Sequence, residues 1–360
     1  MGGIAPQHLA VVDEVLTRVE PFYAGRRVAV TGGMSFIGSH LVEALVTTGA
    51  SVVVADDLSS GREDNLATVR DRVEFLHGDL RDADVARESC RDVDVLFQLA
   101  AMHGGRGYID THPVECLNNM SLDHTMLAAA AEAGVQKIIY ASSACVYPVH
   151  LQTDAADRLL LSEGDANFDE VGKAFPDGEY GWYKLTGELQ LRAFHRQFGV
   201  DGVACRIFTA YGERENESHA AIALIAKAVA RMDPYPIWGN GTQTRNFTYV
   251  GDTAAGLLLA GARMAGFDVV NVGTPEHHTI DELIDVIFDL VGWRPSRIDR
   301  QLEKPVGVRS RAADVSRSRQ LLGWTPTYSV AVGVERTLRW YESAVTAERL
   351  ASLESLLMER

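Results

Sequence analysis

Arg27-Val28-Ala29-Val30-Thr31-Gly32-Gly33-Met34-Ser35-Phe36-Ile37-Gly38-Ser39-His40 reads as a short apolar strand, a glycine turn and the start of a helix whose apolar period continues to about Thr48. Glycines in this setting let the backbone close on a pyrophosphate and let helix pack on strand, while free amides at the helix start hold the anion. Gly32 and Gly38 take the outer places of a G-x-x-G-x-x-G spacing; Ser35 takes the middle one, where glycine is expected. With Phe36 and Ile37 completing the turn, the segment is expected to wrap a dinucleotide phosphate.

Outward from that turn the pattern repeats. A second strand, Ser51-Val52-Val53-Val54-Ala55, ends in Asp56-Asp57. An acidic residue about 20 positions past the glycines accepts the ribose hydroxyls of NAD and repels the extra phosphate of NADP, so Asp56 takes that role and Asp57 a solvated one. A third strand over 73–76 leads to Asp79 and Leu80, placed to meet the adenine, and to Asp82, placed to cap a helix. A fourth, over 93–99, opens through Leu99 and Ala100 into Ala101-Met102-His103-Gly104-Gly105-Arg106-Gly107, whose small residues leave room beside a cofactor. Strands alternating with helices predict an α/β chain: a Rossmann-type doubly wound parallel sheet with helices on both faces.

A helix over about 113–133 leads to Tyr140-Ala141-Ser142-Ser143-Ala144-Cys145-Val146-Tyr147, read as a strand that carries hydroxyl and thiol side chains to the crevice at the sheet's carboxyl edge. Ser143 and Cys145, two apart, are expected on one strand face. Free cysteines are usually small buried hydrophobes, the reading given to Cys90, Cys116 and Cys205; the strand-end position argues for chemistry at Cys145. After a loop over 148–178, Tyr180-Gly181-Trp182-Tyr183-Lys184 heads a helix to about Phe198. Tyr180 and Lys184, four apart, share a helix face, which predicts an ammonium lowering the phenol's pKa toward the range of proton shuttling.

The totals set limits. The 360 residues, 46% hydrophobic, allow one large or two modest domains. A formal charge of -15 argues against nucleic acid or an anionic membrane as the main partner, so an anionic ligand has to be held by placed arginines and backbone amides. No stretch reaches the ~20 apolar residues of a membrane span, and the first 26 residues lack the basic flank and apolar run of a signal peptide. The four cysteines show no short metal-ligand spacing. A cytoplasmic protein with no metal site is expected.

Together these residues resemble the extended short-chain dehydrogenase/reductase family of NAD-dependent nucleotide-sugar epimerases and dehydratases, over nearly all of residues 27–342. Within it they are most similar to the GDP-mannose 3,5-epimerase branch. Four segments carry that likeness: Gly104-Gly105-Arg106-Gly107-Tyr108-Ile109, the strand 140–148, Gly239-Asn240-Gly241-Thr242-Gln243-Thr244-Arg245-Asn246-Phe247-Thr248, and Gly307-Val308-Arg309-Ser310-Arg311. The resemblance implies a catalytic Ser143, Tyr180 and Lys184, with serine and tyrosine on the substrate hydroxyl and lysine also on the nicotinamide ribose. It implies tightly bound, recycled NAD, a nucleotide-diphosphate sugar as substrate, and a homodimer through the helices near 113–133 and 179–198. At the place of Cys145 the 4,6-dehydratases and glucuronate decarboxylases carry glutamate, and simple 4-epimerases usually threonine. In the 3,5-epimerase branch this cysteine is one of two acid/base groups on opposite sides of the sugar. The other is a lysine, whose place falls near His219, within Glu217-Ser218-His219-Ala220-Ala221, and histidine also exchanges a proton near neutral pH. Gly104, Gly105, Arg106, Thr209, Gln243, Arg245 and Arg309 are expected around the substrate, the arginines because their fork donates two bonds at once. Thr209 in place of asparagine, and Met102-His103 in place of an Asp-Met pair, point to a different sugar or nucleotide.

The domain expectation is an N-terminal helical extension over 1–26, whose helix over 7–20 ends at Pro21. An NAD-binding domain follows over 27–209, with return of 236–274. A smaller α/β substrate lobe takes 210–235 and 275–342, and a C-terminal helix 343–360 (Leu350, Leu353, Leu357) packs on the N-terminal helix or a second subunit. The expected reaction is transient oxidation at C4 with proton exchange at C5 and/or C3. Plain C4 epimerisation and a catalytically silent NAD-binding regulator are its rivals.

Overall fold

The computed structural model describes residues 9–353. Seven parallel strands form the central sheet: β1 (Arg27–Thr31), β2 (Ser51–Asp56), β3 (Val73–His77), β4 (Val95–Gln98), β5 (Lys137–Ser143), β6 (Asp201–Ile207) and β7 (Phe267–Val272), in the spatial order β7-β6-β5-β4-β1-β2-β3. The doubly wound expectation holds. The chain winds outward from β1 through β2 and β3, then crosses back to β4 beside β1. Connections therefore diverge between β1 and β4, and a crevice opens at their carboxyl ends.

Helices Phe36–Thr47, Pro113–Ala133, Gly178–Phe198 and Val250–Arg263 cover the two faces. This explains why β1 and β5 are buried along almost their whole length instead of alternating. Lys137 opens β5 and is itself buried; its ammonium donates to the carbonyls of Gly261 (3.0 Å) and Met264 (2.6 Å), at the C-terminal end of a covering helix.

A second apolar core gathers Ile222, Ile225, Tyr235, Ile237, Leu283, Ile287, Val334 and Leu338 into the smaller lobe. Its boundary differs from the expectation. Tyr235–Trp238 pairs in parallel with Ile298–Gln301 and not with the main sheet, so the chain rejoins the large domain at the helix Val250–Arg263. The N-terminal helix is Asp13–Tyr23 and runs through Pro21, which sits in its last turn and removes one backbone bond there. Val15, Leu16, Val19 and Tyr23 are buried in the main core, and the Tyr23 hydroxyl donates to the Leu258 carbonyl (2.8 Å). The tail is not one helix. Val330–Ala344 ends at an extended Val345, Thr346 caps a short helix Ala347–Ala351, and Leu353 is buried in the smaller lobe's core, not on the N-terminal helix. Leu357 lies outside the described residues. Among the described residues no helix is long and apolar enough to cross a membrane.

One buried ion pair ties the substrate-side loop to the sheet. Arg206 on β6 donates through Nε (2.9 Å) and Nη2 (2.8 Å) to the two carboxylate oxygens of Glu188, and its remaining donors reach the carbonyls of Glu163 and Ala166, both at 2.8 Å. Breaking such a pair leaves a buried charge uncompensated. Arg206→Met is expected to lower the unfolding free energy by about 3–5 kcal/mol in urea denaturation.

Candidate active site

A cleft runs along the carboxyl ends of β1, β2, β4 and β5. Gly32 leaves β1 at φ +66°, where L side chains rarely sit, and a Cβ on Gly38 would lie 2.2 Å from the Gly32 carbonyl oxygen. Both positions therefore demand glycine, for backbone shape and for space. Ser35 is accommodated at the middle place because it caps the helix in extended backbone (φ -87°, ψ -175°), where a side chain is permitted. Ser35, Phe36, Ile37 and Gly38 line the cleft with the helix N-terminus behind them. Asp56 is buried at the end of β2 and accepts the Met34 amide (2.9 Å) and the Leu58 amide (2.8 Å); burial pushes its carboxyl up. Asp57 is exposed. Asp79 and Leu80 line the far end, where hydrogen bonds from Arg81 hold the Asp79 carboxyl below the usual range, and Asp82 caps the next helix through the Asp84 amide. The amides of Leu99 and Ala100 both donate to the Thr31 hydroxyl at 3.0 Å, which locks β4 beside β1. A turn closed to Cβ atoms, a helix N-terminus and a buried carboxylate on one cleft fit an extended dinucleotide.

The far wall corrects the reading of 140–147 as one strand. β5 ends at Ser143, and Ala144–Val146 form a single 3-10 turn. The cause is local: the Ser143 hydroxyl accepts the Cys145 amide at 3.1 Å and so caps that turn. Ser143 and Cys145 then do not share a strand face. Ser143 lines the cleft with Tyr180 and Lys184. Cys145 is half-buried behind them, its sulfur accepting from Arg311 Nη1 at 3.3 Å.

The expected lowering of the Tyr180 phenol by Lys184 is not found. Burial, and then Cys145 and Cys116, push Tyr180 above its ordinary value, with the Ser143 hydroxyl pulling the other way. The Lys184 ammonium donates to the Ala141 carbonyl at 2.5 Å and lies over the rings of Tyr140 (5.0 Å) and Tyr183 (4.7 Å), while burial brings its pKa down to about 8. Behind it the buried Asp123 accepts from the Tyr140 hydroxyl (2.7 Å) and from Gln98 (3.2 Å).

The arginines also differ from expectation. Arg106 donates to both oxygens of Asp177 (3.0 and 3.1 Å) and to Asp110 (3.1 Å), so its fork is already engaged by carboxylates. Arg309 is exposed; the arginine that turns inward from the same motif is Arg311, which bonds Asp177 (3.1 Å) and Gln152 (2.6 Å). Arg245 donates to the carbonyls of Thr244 and Val306, both at 2.7 Å, and burial with Arg311 nearby brings it down to about 9. Gln243 is buried against the Trp238 carbonyl (2.8 Å). Gly104 is buried under Tyr108, whereas Gly105 lines the cleft and has no room for a Cβ, which would fall 1.9 Å from the Ser218 carbonyl oxygen.

Asp177, which the sequence reading passed over, joins these parts. Its amide donates to the Cys145 carbonyl at 2.9 Å, and it immediately precedes the helix of Tyr180. Burial raises its carboxyl, but Arg311 and Arg106 pull it to a net value below the usual range. Its place just before a helix was the available signal. Across the cleft stand Thr209, His103 and His219. His219 begins the helix Ala220–Val229, its ring centroid is 5.8 Å from that of His103, and its Nδ1 is 3.0 Å from Glu215 Oε1.

The sequence pattern of the "NAD dependent epimerase/dehydratase family" matches residues 28–273, more than half of the chain. GDP-mannose 3,5-epimerase 1 of Oryza sativa subsp. indica is 30% identical over 341 residues, spanning 91% of this chain and 85% of the rice protein. A putative UDP-glucose 4-epimerase of Methanocaldococcus jannaschii is 29% identical over 325 residues, spanning 88% of this chain and 98% of its own length. Among solved structures, a Thermus thermophilus UDP-glucose 4-epimerase in complex with NAD aligns with a TM-score of 0.75 and 26% identity, over 89% of this chain and 100% of that one.

The Asp177 ion pairs carry a pH signature. Because the folded carboxyl lies below its ordinary value of 3.8, its contribution is complete above that pH and is lost as pH falls through the lower folded value. Asp177→Asn is expected to melt below wild type at pH 7, and the gap should close as both proteins are scanned by calorimetry below about pH 4.

Proposed function

The chain belongs to the NAD dependent epimerase/dehydratase family, and from that premise we propose that it epimerises a nucleotide-diphosphate sugar at carbons beside a transient C4 ketone, in the manner of a GDP-mannose 3,5-epimerase. With enzyme relatives spanning nearly nine-tenths of it or more, the chain is an NAD-dependent enzyme and not a silent NAD-binding regulator. Gly32, Ser35, Phe36, Ile37, Gly38, Asp56, Asp79, Leu80, Leu99 and Ala100 hold the cofactor, with Tyr180 and Lys184 at its nicotinamide end. Bound NAD supplies a reversible hydride acceptor at C4, which makes the neighbouring C–H bonds acidic.

The chain's own groups do the proton work. Tyr180 takes the proton of the C4 hydroxyl, Ser143 orients that hydroxyl, and the Lys184 ammonium beside them eases the charge that develops on the phenol. Cys145 and His219 exchange the proton on carbon, at C5 and/or C3, from the two walls of the site. Thr209 and Gly105 shape the sugar site, with Gly104 packed behind them under Tyr108; Arg311 joins Arg245 in a locally positive wall that suits an anionic nucleotide, with Gln243, Arg106 and Arg309 around it. The observation that carries this reading is the arrival of a second titratable pair, His219 with buried Glu215, at a cleft that already holds Ser143, Tyr180 and Lys184. A 4-epimerase has no use for a carbon acid or base.

Two further proposals follow from the same family reading. The chain forms a homodimer through the helices Pro113–Ala133 and Gly178–Phe198, which expose Val114 (65%), Trp182 (42%) and Phe198 (56%). It works in the cytoplasm, where its four free cysteines stay reduced.

Incubation with a panel of GDP-, UDP-, dTDP- and CDP-sugars in deuterated water, read by NMR, is expected to place deuterium on C5 or C3 of a GDP-sugar. Product inverted only at C4, with no carbon-bound deuterium, would establish the 4-epimerase reading instead. Cys145→Ala is expected to slow deuterium entry by about 10²-fold or more, in the range of general acid–base contributions. Phe198→Glu is expected to sediment as a monomer where wild type sediments as a dimer.

A further inference from the structure

Residues 213–219 form a short acidic segment whose glutamates face three different places. Glu213 accepts the Tyr249 hydroxyl at 2.7 Å and pairs with Arg336 at 3.5 Å. Glu217, nearly fully buried, takes a two-pronged contact from Arg349 in the C-terminal helix, both bonds at 2.6 Å, together with the Tyr341 hydroxyl at 3.3 Å. Glu215 alone turns into the cleft. It is 4% exposed, lines the cleft wall, and its Oε1 meets His219 Nδ1 at 3.0 Å. The flanking pairs pin the backbone on either side, and His219 and Ser218 are further held by Asn216: its carbonyl accepts the His219 amide (3.2 Å), and its side-chain oxygen accepts the Ser218 amide (2.8 Å).

From this arrangement we propose that Glu215 is a positioning residue that fixes the tautomer and orientation of His219, keeping Nδ1 protonated and leaving Nε2 as the nitrogen that exchanges a proton with the sugar carbon. The proposal rests on the role given to His219 above. A carboxylate is acceptor-only when ionised, so the nitrogen it touches must carry the proton, and the neutral ring then has its lone pair on Nε2. When Nε2 takes a proton from carbon, the imidazolium forms 3.0 Å from a buried carboxylate. Inversion then needs a proton delivered to the other face of the carbon from the Cys145 thiol; the Nε2 proton passes to solvent, solvent reprotonates the thiolate, and Glu215 neither gains nor loses one. Glu215 stands four residues before His219, a spacing that brings side chains together only once the segment coils into the turn ahead of a helix. The Glu215 carboxyl also takes a backbone hydrogen bond from Gly212, and among the described residues its side-chain partner is the imidazole.

The test uses the full chain labelled with 15N-histidine, His219→Gln serving to assign the His219 resonances. Long-range 1H–15N correlations of wild type are expected to show His219 with Nδ1 protonated; a His219 protonated only at Nε2 would overturn the proposal without recourse to any variant. Glu215→Leu is expected to switch His219 to the Nε2–H form and to slow solvent deuterium entry into the product sugar by about 10²-fold, with KM within about twofold of wild type. Glu215→Gln keeps an acceptor without the charge, and is expected to retain the Nδ1–H tautomer and recover part of that rate. An unchanged tautomer or an unchanged rate in Glu215→Leu would refute the positioning role. Were wild type to place no deuterium on carbon with any sugar nucleotide, the 3,5-epimerase reading would fail, while the two spectra would still decide whether Glu215 sets the His219 tautomer.

Discussion

The site depends on one register, that of the helix Gly178–Phe198 along β5 and the turn that follows it. From the residue ahead of the helix and down one of its faces, contacts repeat at about one per turn. The Asp177 amide donates to the Cys145 carbonyl (2.9 Å), the Lys184 ammonium to the Ala141 carbonyl (2.5 Å), and the Ser142 hydroxyl to Glu188, which also neutralises Arg206 on the neighbouring strand. Two glycines allow the approach. A Cβ on Gly181 would fall 2.4 Å from the Cys145 carbonyl oxygen, and one on Gly187 2.1 Å from the Tyr140 hydroxyl. Rotating the helix by one residue, about 100°, would break every one of these contacts and carry Tyr180 away from Ser143. Because several of the partners are buried and charged, the alternative registers are strongly disfavoured.

Two walls meet across the cleft, and each rests on a buried carboxylate. On the β5 side Asp177 holds Arg311 and Arg106, and Arg311 in turn touches the Cys145 sulfur. On the other side Glu215 holds His219. The sulfur thus sits in a positive environment and the imidazole beside a negative one. A protein of net charge -15 concentrates its inward positive charge on the first wall, with Arg245 among the same side chains. Such local placement is how an acidic chain gathers an anionic ligand.

Much of this was legible in the residues. The turn Gly32–Gly38, the carboxylate at Asp56 and the Tyr180/Lys184 spacing come from short local patterns, in which the chemistry and the backbone shape are written in adjacent positions. What was misread involves residues whose neighbours are distant in sequence. Alternation puts Cys145 on the strand face of Ser143, but the Ser143 hydroxyl captures its amide and turns the chain. Arg309 is the expected substrate contact, but it is Arg311 that turns inward, beside the pairing of Ala312–Ala313 with Leu160–Leu161, some 150 residues away in the chain. Arg106 looked available for a phosphate until Asp177 was brought against it from 71 residues further on.

By itself the sequence determined the doubly wound sheet, the dinucleotide cradle and the hydroxyl–lysine pair, because period, glycine and spacing act within a dozen residues. The tertiary structure alone decided the partners of the titratable groups: Arg311 for Cys145, Glu215 for His219, the Ala141 carbonyl for Lys184. Those pairings follow from burial. A charged group withdrawn from water must find its counterpart among whatever the fold places beside it, and no local pattern states which that will be.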